Sequence, residues 1–481
     1  MGGRGGHISH VYEDMNMSFQ SLRDIISSVT SGKIEAIEKV DGQNLYFRYD
    51  PTDNQAKFAR NETHDKAGGI TREAMTADFK KKGERLGSEY DSVIKTFDDG
   101  MEVIQRSLSS IPEDTLHKIF YAPDLFVSTE IMSGDNRNII AYNGNFITMH
   151  GMTLPGSVYE SDISEDEIQR LDKGSREAFK TLVSAIDRHE YEVSSQNWKV
   201  VGPKIVQLTN LSDGDFIERF DNVIDEILEG TDLTLENTFK DFVSFHLASV
   251  INQTFQNKVS DEVFLDILNL LTETKEEKQQ RLKVGYKITL NALKKKHPFK
   301  EDHIPLRNIA LSENSKKVLS IILEPFAKVV TQFSSELLSG SQSFFMKDTD
   351  EARKMLSDMT SIAMQRIPDV IKTYLETGDV DNGLAAEAEK KQASFDKQMG
   401  RMIDVSRIST GIEGVVFEYP PMSRRYYKFT GGFAPANQIL GLLDWEGKSE
   451  IMSIVQTKYK DGSDINESEF KDLVRMTLLS Y

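Results

Sequence analysis

The chain has 481 residues, of which 38% are hydrophobic and 28% charged, and this length is enough for two or three domains with separate cores. The absence of cysteine excludes disulfides and thiolate metal sites, and it favours a reducing compartment. A formal net charge of −18 argues against a protein covered in nucleic acid, because phosphate binding requires a basic face.

The N-terminal part predicts a helix and shows no membrane signal. Residues 1–10 (MGGRGGHISH) are not followed by the apolar segment of a signal peptide, and no apolar run in the chain approaches transmembrane length. We therefore expect a cytoplasmic protein with no membrane partner. Residues 19–29 carry apolar side chains at helical spacing, and Ser18 is a suitable N-cap.

A candidate nucleophile lies in the next segment, IEAIEKVDGQNLYFRYD at residues 34–50. The pattern predicts a strand, a tight turn with Asp41-Gly42 at its corner, and a second strand. Lys39 would then lie at the mouth of this hairpin. A lysine on a rigid element can have its pKa lowered by neighbours and become a nucleophile. The alternative is a surface lysine beside a β-turn, because K-x-D-G alone is a weak motif.

Three further segments before residue 152 each contain one residue suited to contacting a ligand. They are Arg60 in residues 58–62, Glu130 at the end of a predicted strand at residues 125–130, and Phe146 in a predicted strand at residues 145–151. An ordinary surface arginine and a core phenylalanine are the alternatives for the first and the last. Residues 74–108 predict helix with a break near Gly83 and Gly87, and residues 198–208 predict a strand.

From about residue 211 the pattern changes to helical periodicity. The predicted helices cover residues 216–228, 238–253, 261–271, 316–338, 348–373 and 381–405. Their apolar faces indicate a bundle core, and His246 among them is more simply a structural histidine than a metal ligand. Residues 275–300 are rich in lysine and include Lys294, Lys295 and Lys296. This tract is either a solvated helix face or a surface that binds phosphates.

Near the C-terminal end two short motifs complete the set. Residues 413–417 are EGVVF and residues 425–429 are RYYKF, with Lys428 in the second. Six segments of the chain, taken in order, resemble the motifs of the covalent nucleotidyltransferase superfamily, which comprises ATP-dependent DNA and RNA ligases and mRNA-capping enzymes. These segments are residues 38–44, 58–62, 125–130, 145–151, 413–417 and 425–429. The residues EKVDGQN and EGVVFEYPPMSRRYYKFTGGFAPANQILG are most similar to segments of ligase-like proteins of large tailed bacteriophages. If a phage encodes the chain, its place is the host cytoplasm.

This resemblance implies a role for each candidate residue. Lys39 would attack the α-phosphate of ATP and Asp41 would orient it, and Lys428 would neutralise the phosphate during transfer. Arg60 would contact ribose or phosphate, Glu130 the ribose hydroxyls, and Phe146 the base. Glu413 would hold Mg²⁺. These roles agree with the chemistry, since phosphoryl transfer depends on positioning and charge neutralisation and Mg²⁺ prefers carboxylate oxygens.

The sequence departs from the family in two places. Ligases have two lysines in the last motif, whereas here Tyr426 and Thr430 flank Lys428 at the corresponding spacings, with Arg424 or Arg425 as substitutes. Residues 430–481 do not predict the five strands of an OB-fold. The single lysine makes sealing less strongly implied than adenylation, and the second departure favours the RNA ligases.

We therefore expect an α+β protein with an antiparallel nucleotidyltransferase core in residues 1–210 and 405–481, an α-helical insertion in residues 211–404 and no C-terminal OB-fold. The expected function is formation of lysyl-AMP and sealing of polynucleotide ends by an RNA-ligase-like enzyme, with ATP and Mg²⁺. RNA or DNA ends would bind through the helical insertion. Two alternatives stay open: a DNA ligase or other adenylyltransferase, and a ligase-fold phage protein with a structural or interaction role and no sealing activity.

Overall fold

A computed structural model describes the chain over residues 8–86, 90–122, 125–133, 142, 144–153, 165–206, 208, 214–255, 260–273, 290–297, 306–307, 312–339, 341–345, 392, 412–421, 423 and 425–432. Within these ranges the protein is mixed α+β, with two sheets rich in antiparallel pairing and many helices. The expected α+β class is confirmed at this level. No helix in these ranges is both long and apolar enough to cross a membrane.

The strands form two separate sheets. They are β1 (Ser9–His10), β2 (Ile37–Lys39), β3 (Gln43–Asp50), β4 (Gln55–Ala59), β5 (Phe126–Met132), β6 (Asn145–Thr153), β7 (His189–Val193), β8 (Gln196–Val201), β9 (Gly414–Glu418) and β10 (Tyr426–Phe429). The four-stranded sheet has the order β1-β10-β9-β2, and the six-stranded sheet has the order β4-β3-β5-β6-β8-β7. Only β1 with β10 and β6 with β8 pair in parallel among these strands.

The helices follow the apolar periodicity of the sequence. They are α1 (Phe19–Thr30), α2 (Glu62–Lys66), α3 (Arg72–Leu86), α4 (Tyr90–Ser109), α5 (Glu113–Ile119), α6 (Glu165–Ile186), α7 (Gly214–Leu228), α8 (Phe239–Phe255), α9 (Asp261–Thr272), α10 (Leu290–Lys296), α11 (Ser312–Ile322) and α12 (Glu324–Leu338). Ser18 caps α1 as predicted, since its hydroxyl accepts a hydrogen bond from the Ser21 amide at 3.1 Å. The helix predicted over residues 316–338 is two helices, because Pro325 starts a new one in its first turn.

Each sheet has its own hydrophobic core. Helices α3 to α6 pack against one face of the six-stranded sheet, where Phe47, Ile131 and Trp198 are buried. The four-stranded sheet packs against α1 and the helices after residue 214. These later helices therefore share a core with the N-terminal part of the chain. The division into residues 1–210, 211–404 and 405–481 stays a prediction. Several predicted segments lie outside the described residues, apart from residue 392: the helices at residues 348–373 and 381–405, the segment 433–441 and the tail to residue 481.

The hairpin predicted at Asp41-Gly42 is wrong. β2 pairs with β9 in one sheet, whereas β3 pairs with β4 and β5 in the other, so residues 40–42 cross between sheets. Gly42 is not at a positive φ. A Cβ at this position would lie 2.9 Å from Glu130 Cβ, so glycine is required here by the close approach of β5 and not by a turn.

Two further contacts join the sheets. The segment after β8 runs beside β2, where the Glu38 amide donates to Lys204 O at 2.8 Å and the Val206 amide donates to Ala36 O at 2.9 Å. At the end of β9 remote from Gly414, the Arg176 guanidinium on α6 binds both oxygens of Glu418, at 2.9 and 3.1 Å. This bidentate geometry fixes orientation as well as distance.

Candidate active site at the junction of the two sheets

Lys39 is the last residue of β2, at the point where the chain leaves one sheet for the other. Its partner in register is Gly414, the first residue of β9. Val416 pairs with both Ile37 and Lys428, so these three side chains lie on one face of the four-stranded sheet. Because side chains alternate along a strand, Lys39 lies on this same face. Lys39 and Lys428, which are separated by most of the chain, therefore lie on one surface.

Glu413 lies directly before β9 and forms an ion pair with Lys39. The glycine after it is required by packing, because a Cβ on Gly414 would lie 2.1 Å from Phe429 O and 2.9 Å from Thr430 Cα. β10 therefore approaches β9 closely at this point. The Glu-Gly pair combines a carboxylate facing Lys39 with a backbone that the next strand can cover.

Burial and close charges govern the protonation of this pair. Burial alone lowers the pKa of Lys39, but Glu413, Glu130 and Asp41 outweigh it and raise that pKa above its ordinary value. Burial raises the pKa of Glu413 to about 8, against the opposing effect of the Lys39 ammonium. At neutral pH Lys39 is therefore a cation in the ligand-free protein.

Glu130 occupies the facing sheet. It lies on β5 across from Asn44 on one side and Thr148 on the other, and its Oε2 accepts a hydrogen bond from the Gly42 amide at 3.2 Å. Burial raises the pKa of Glu130 to about 7, opposed by Lys39 and by the Gly42 hydrogen bond. The sheet crossing at residues 40–42 thus brings the Glu130 carboxylate within electrostatic range of Lys39.

Asp41 is held by its backbone. Its amide donates a hydrogen bond to the Tyr142 hydroxyl oxygen at 2.6 Å. The Asp41 carboxylate raises the pKa of both Lys39 and Glu413. The predicted orienting role is therefore accompanied by a clear electrostatic one, since Asp41 adds negative charge beside the lysine.

Lys428 is buried on β10, in register with His10 on β1. Burial lowers the pKa of its ammonium, and the charge of Lys39 lowers it further, while Glu13 and Glu413 act in the opposite direction. Lys39 and Lys428 lie on the same face of the four-stranded sheet. A pair of cations on one face is the charge arrangement that polyphosphate requires.

Phe146 is on the face of the six-stranded sheet opposite to its helices, but its ring is covered. Only 7% of Phe146 is exposed. Phe345 contacts the ring edge-to-face with a centroid distance of 5.2 Å, and Tyr142 contacts Phe345 at 6.4 Å. A base that stacks on Phe146 must therefore displace Phe345 or contact both rings.

The segment that carries Phe345 is anchored next to Lys39. Glu38 accepts hydrogen bonds from the Ser343 hydroxyl and from the Phe344 amide, the latter at 3.0 Å. Glu38 is 3% exposed, and burial raises its pKa to about 7, which these two hydrogen bonds oppose. The Lys204 ammonium lies 4.6 Å from the centre of the Phe344 ring. Residues 341–345 thus connect the helical part of the chain to the site.

Arg60 follows β4 and packs into the helical layer. Its guanidinium carbon lies 4.4 Å from the centroid of Phe97 and 5.3 Å from that of Phe79. Cation–π contacts of this kind stabilise an arginine in place. A role of Arg60 towards ribose or phosphate stays a prediction.

The residues present fit a magnesium ion held largely by its own substrate. Glu413 Oε2 is buried without a hydrogen-bond partner among the described residues, which leaves one carboxylate oxygen for a cation. No group of three or more His, Asp or Glu side chains in the described ranges is arranged to hold a metal. Mg²⁺ commonly binds through one or two carboxylates, water and substrate phosphates, and this donor set suits that pattern.

Several residues at the site carried no sequence signal of their own. They are Glu38, Tyr142, Thr148, His150 and Phe345. His150 and Thr148 lie within the strand that was predicted, but only the alternation of β6 and its pairing with β5 show which face they occupy. No family model, curated protein or solved structure matches the chain, so the motifs and the geometry of this site are the basis for assigning a function.

Proposed function

We propose that the protein is an ATP-dependent nucleotidyltransferase that forms lysyl-AMP on Lys39 and passes the adenylyl group to a polynucleotide end, as RNA ligases do. The observation that carries the proposal is that Lys39 and Lys428 share one face of the four-stranded sheet, that Glu413 pairs with Lys39, and that Glu130 of the other sheet is close enough to act on the charge of Lys39. These residues come from the segments, in the chain order, for which the sequence resembles the covalent nucleotidyltransferases. Their charges match the needs of a lysine attacking a phosphate.

In the first step the Lys39 amine attacks the α-phosphorus of ATP. A P–N bond forms, the bond from the α-phosphorus to the bridging oxygen breaks, and pyrophosphate leaves with the bond electrons. The lysine must first lose a proton, and Glu413 is the hydrogen-bonded acceptor beside it. Because the pKa of Glu413 is raised to about 8, its carboxylate is a stronger base than an ordinary one.

The other candidate residues position the nucleotide and neutralise the charge of its phosphates. Lys428 offers a second cation for the α-phosphate, and Glu130 offers a hydrogen-bond acceptor to the sugar. Glu413 would hold Mg²⁺, which would supply charge neutralisation of the phosphates. The transfer from Lys39 to a polynucleotide would then reverse the bond changes: the P–N bond breaks, and a terminal phosphate oxygen forms the new bond to the α-phosphorus.

The direct test uses purified protein with radiolabelled ATP, and in parallel GTP, in the presence of Mg²⁺. We expect a covalent band with ATP that is absent from Lys39→Ala, and a mass increase of one adenylyl group on the peptide containing Lys39. Transfer to nicked or single-stranded RNA and DNA then identifies the acceptor. If folded protein gives no adduct with either nucleotide, a structural or interaction role replaces the enzymatic one.

A further inference from the structure

Two polar side chains on β6, Thr148 and His150, lie beside Glu130 and have polar atoms without a hydrogen-bond partner among the described residues. Thr148 is directly across from Glu130, and its hydroxyl is buried without a hydrogen-bond partner among the described residues. His150 has its Nε2 3.9 Å from Glu130 Oε2, beyond hydrogen-bond distance, and this atom is likewise buried and unpartnered in that part of the chain. Buried polar atoms normally form hydrogen bonds. Two such atoms near one carboxylate, both without a partner in the described ranges, therefore indicate a site for a polar ligand.

An irregularity in strand pairing explains how His150 reaches this position. Thr129 pairs with Met149 and Ser128 with Gly151, so His150 is the extra residue of a β-bulge. A bulge changes the direction of a side chain and often lies next to a functional site.

The chemistry of this group suits hydroxyls better than phosphates. Glu130 and Thr148 provide oxygen atoms, and burial, with Lys39 nearby, lowers the pKa of His150 to about 4, so its ring is neutral at pH 7. A neutral imidazole and a threonine hydroxyl can each donate or accept. The cations that phosphates require are on the facing sheet, at Lys39 and Lys428.

The position along β6 also agrees with a sugar. Phe146, the residue implied for the base, lies two residues before Thr148 on the same side of the strand, and this spacing is about 6.6 Å. Glu130 acts electrostatically on Lys39, the implied phosphate end. The polar group therefore lies between a base position and a phosphate position, where the ribose of a nucleotide would be.

We propose that Thr148 and His150 complete, with Glu130, a binding site for the ribose hydroxyls of the nucleotide, and that they make the protein select ribonucleoside over deoxyribonucleoside triphosphates. This inference rests on the proposed function and adds the two residues that determine sugar specificity. Thr148 and His150 each form a hydrogen bond with a hydroxyl that a deoxynucleotide lacks. Removing the hydroxyl leaves the buried atom unpaired, which costs binding.

The test compares ATP with 2′-deoxy-ATP and 3′-deoxy-ATP in Thr148→Val and His150→Phe, which keep size and remove the polar atom. His150→Gln restores a donor and an acceptor. Ile147→Val is the matched control, because Ile147 is on the same strand but faces the helix layer. Two measurements are made: kcat/KM for adduct formation, and calorimetric binding of the ATP analogue with a methylene between its α- and β-phosphates. Circular dichroism and thermal unfolding check that each variant is folded.

We expect the parent to prefer ATP over at least one deoxy form by about tenfold or more. Thr148→Val and His150→Phe should lose about tenfold with ATP and little with the corresponding deoxy form, while His150→Gln recovers part of the preference and the control keeps all of it. A parent that labels and binds ATP while both variants keep its ATP-to-deoxy ratio overturns the inference and leaves the proposed function intact. A parent that neither labels with nor binds any nucleotide overturns both.

Discussion

Lys39 and Glu413 are 374 residues apart in the chain and form a partly buried ion pair where β2 meets β9, with the Lys39 side chain 22% and the Glu413 side chain 8% exposed. The charge of Lys39 stabilises the ionised form of Glu413, because it holds the pKa of Glu413 below the value that burial alone would produce. Removing one partner of a buried pair leaves the other uncompensated, and the usual cost is about 3–5 kcal/mol.

We therefore predict that Lys39→Met destabilises the fold, and more strongly as pH rises through the pKa of Glu413. Below that pKa the carboxyl is protonated and the cost is small. Lys39→Met combined with Glu413→Gln should recover most of the loss, since no buried charge then remains. Urea unfolding at pH 6 and pH 9 of both single variants and the double variant gives the coupling energy. Additive single effects at pH 9 would contradict this account.

The glycine that follows Glu413 gives a second prediction. Gly414→Ala should destabilise the protein by about 3 kcal/mol or more, because the new methyl would meet the backbone of β10 at 2.1 Å and a backbone cannot rotate away as a side chain can. Gly151→Ala is a suitable control, since apart from its chain neighbours no heavy atom of the described residues lies within 4 Å of its Cβ position, and its φ is not positive. Thermal unfolding of the two variants distinguishes a local packing requirement from a general cost of replacing strand glycines.

Glu38 gives a pH-dependent prediction whose sign follows from burial. Its folded-state pKa of about 7 lies above the ordinary value of 4.5, so the folded protein binds the proton more tightly than the unfolded chain. Its contribution to stability is complete below pH 4.5 and is lost as pH rises through 7, by about 3 kcal/mol in total. Glu38→Gln should reduce the fall in unfolding free energy between pH 5 and pH 8. An unchanged fall would show that Glu38 does not titrate in this range.

Sequence reasoning located the elements better than it located their neighbours. Apolar periodicity identified α1 and its Ser18 cap, since both are local properties of the chain. The turn predicted at Asp41-Gly42 is wrong because a glycine can indicate either a tight turn or the close approach of another strand. Only the position of Glu130 distinguishes the two. The bulge at His150 depends on the partner strand β5, which lies well before β6 in the chain and leaves no local pattern.

Long-range contacts of the helical part were beyond sequence reasoning for the same reason. The apolar pattern predicted helices at residues 216–228, 238–253, 261–271 and 316–338, yet it could not show that the chain after α12 returns to Glu38 and Phe146. The convergence of Lys39 with Glu413 was expected only through the order of motifs. Pairing between β2 and β9 now supplies its physical basis.

Phe345 is predicted to compete with the base for Phe146. Phe345 is 1% exposed and packs against the Phe146 ring, so Phe345→Leu should uncover part of that ring and lower the KM for ATP severalfold in adduct formation, with a modest loss of stability. Phe344→Leu is the matched control, because that ring is half exposed and its amide still binds Glu38. A rise in KM for Phe345→Leu would mean that Phe345 is a wall of the base site and not a cover.

The last prediction concerns the polynucleotide acceptor and the three lysines at the end of α10, of which two are suitable for substitution. Lys296 binds Asp266 on α9 at 2.7 and 2.9 Å, and His297 binds the same carboxylate at 2.6 Å, so Lys296 helps to hold two helices together. Reversing its charge would disturb the fold as well as any surface. Lys294 is half-buried and Lys295 exposed, and their side chains are the appropriate probes of this part of the basic tract.

Lys294→Glu with Lys295→Glu should weaken binding of single-stranded RNA or DNA at low salt and slow sealing, while labelling of Lys39 by ATP continues. The two steps separate because adenylation needs only nucleotide and metal, whereas a polynucleotide binds through many phosphates and releases counterions. Each lost phosphate contact reduces the slope of log affinity against log salt by about 0.7 for a single strand. Fluorescence anisotropy over a salt series measures that slope. Equal slopes for parent and variant would mean that α10 is a solvated helix face, and that polynucleotide ends bind elsewhere on the protein.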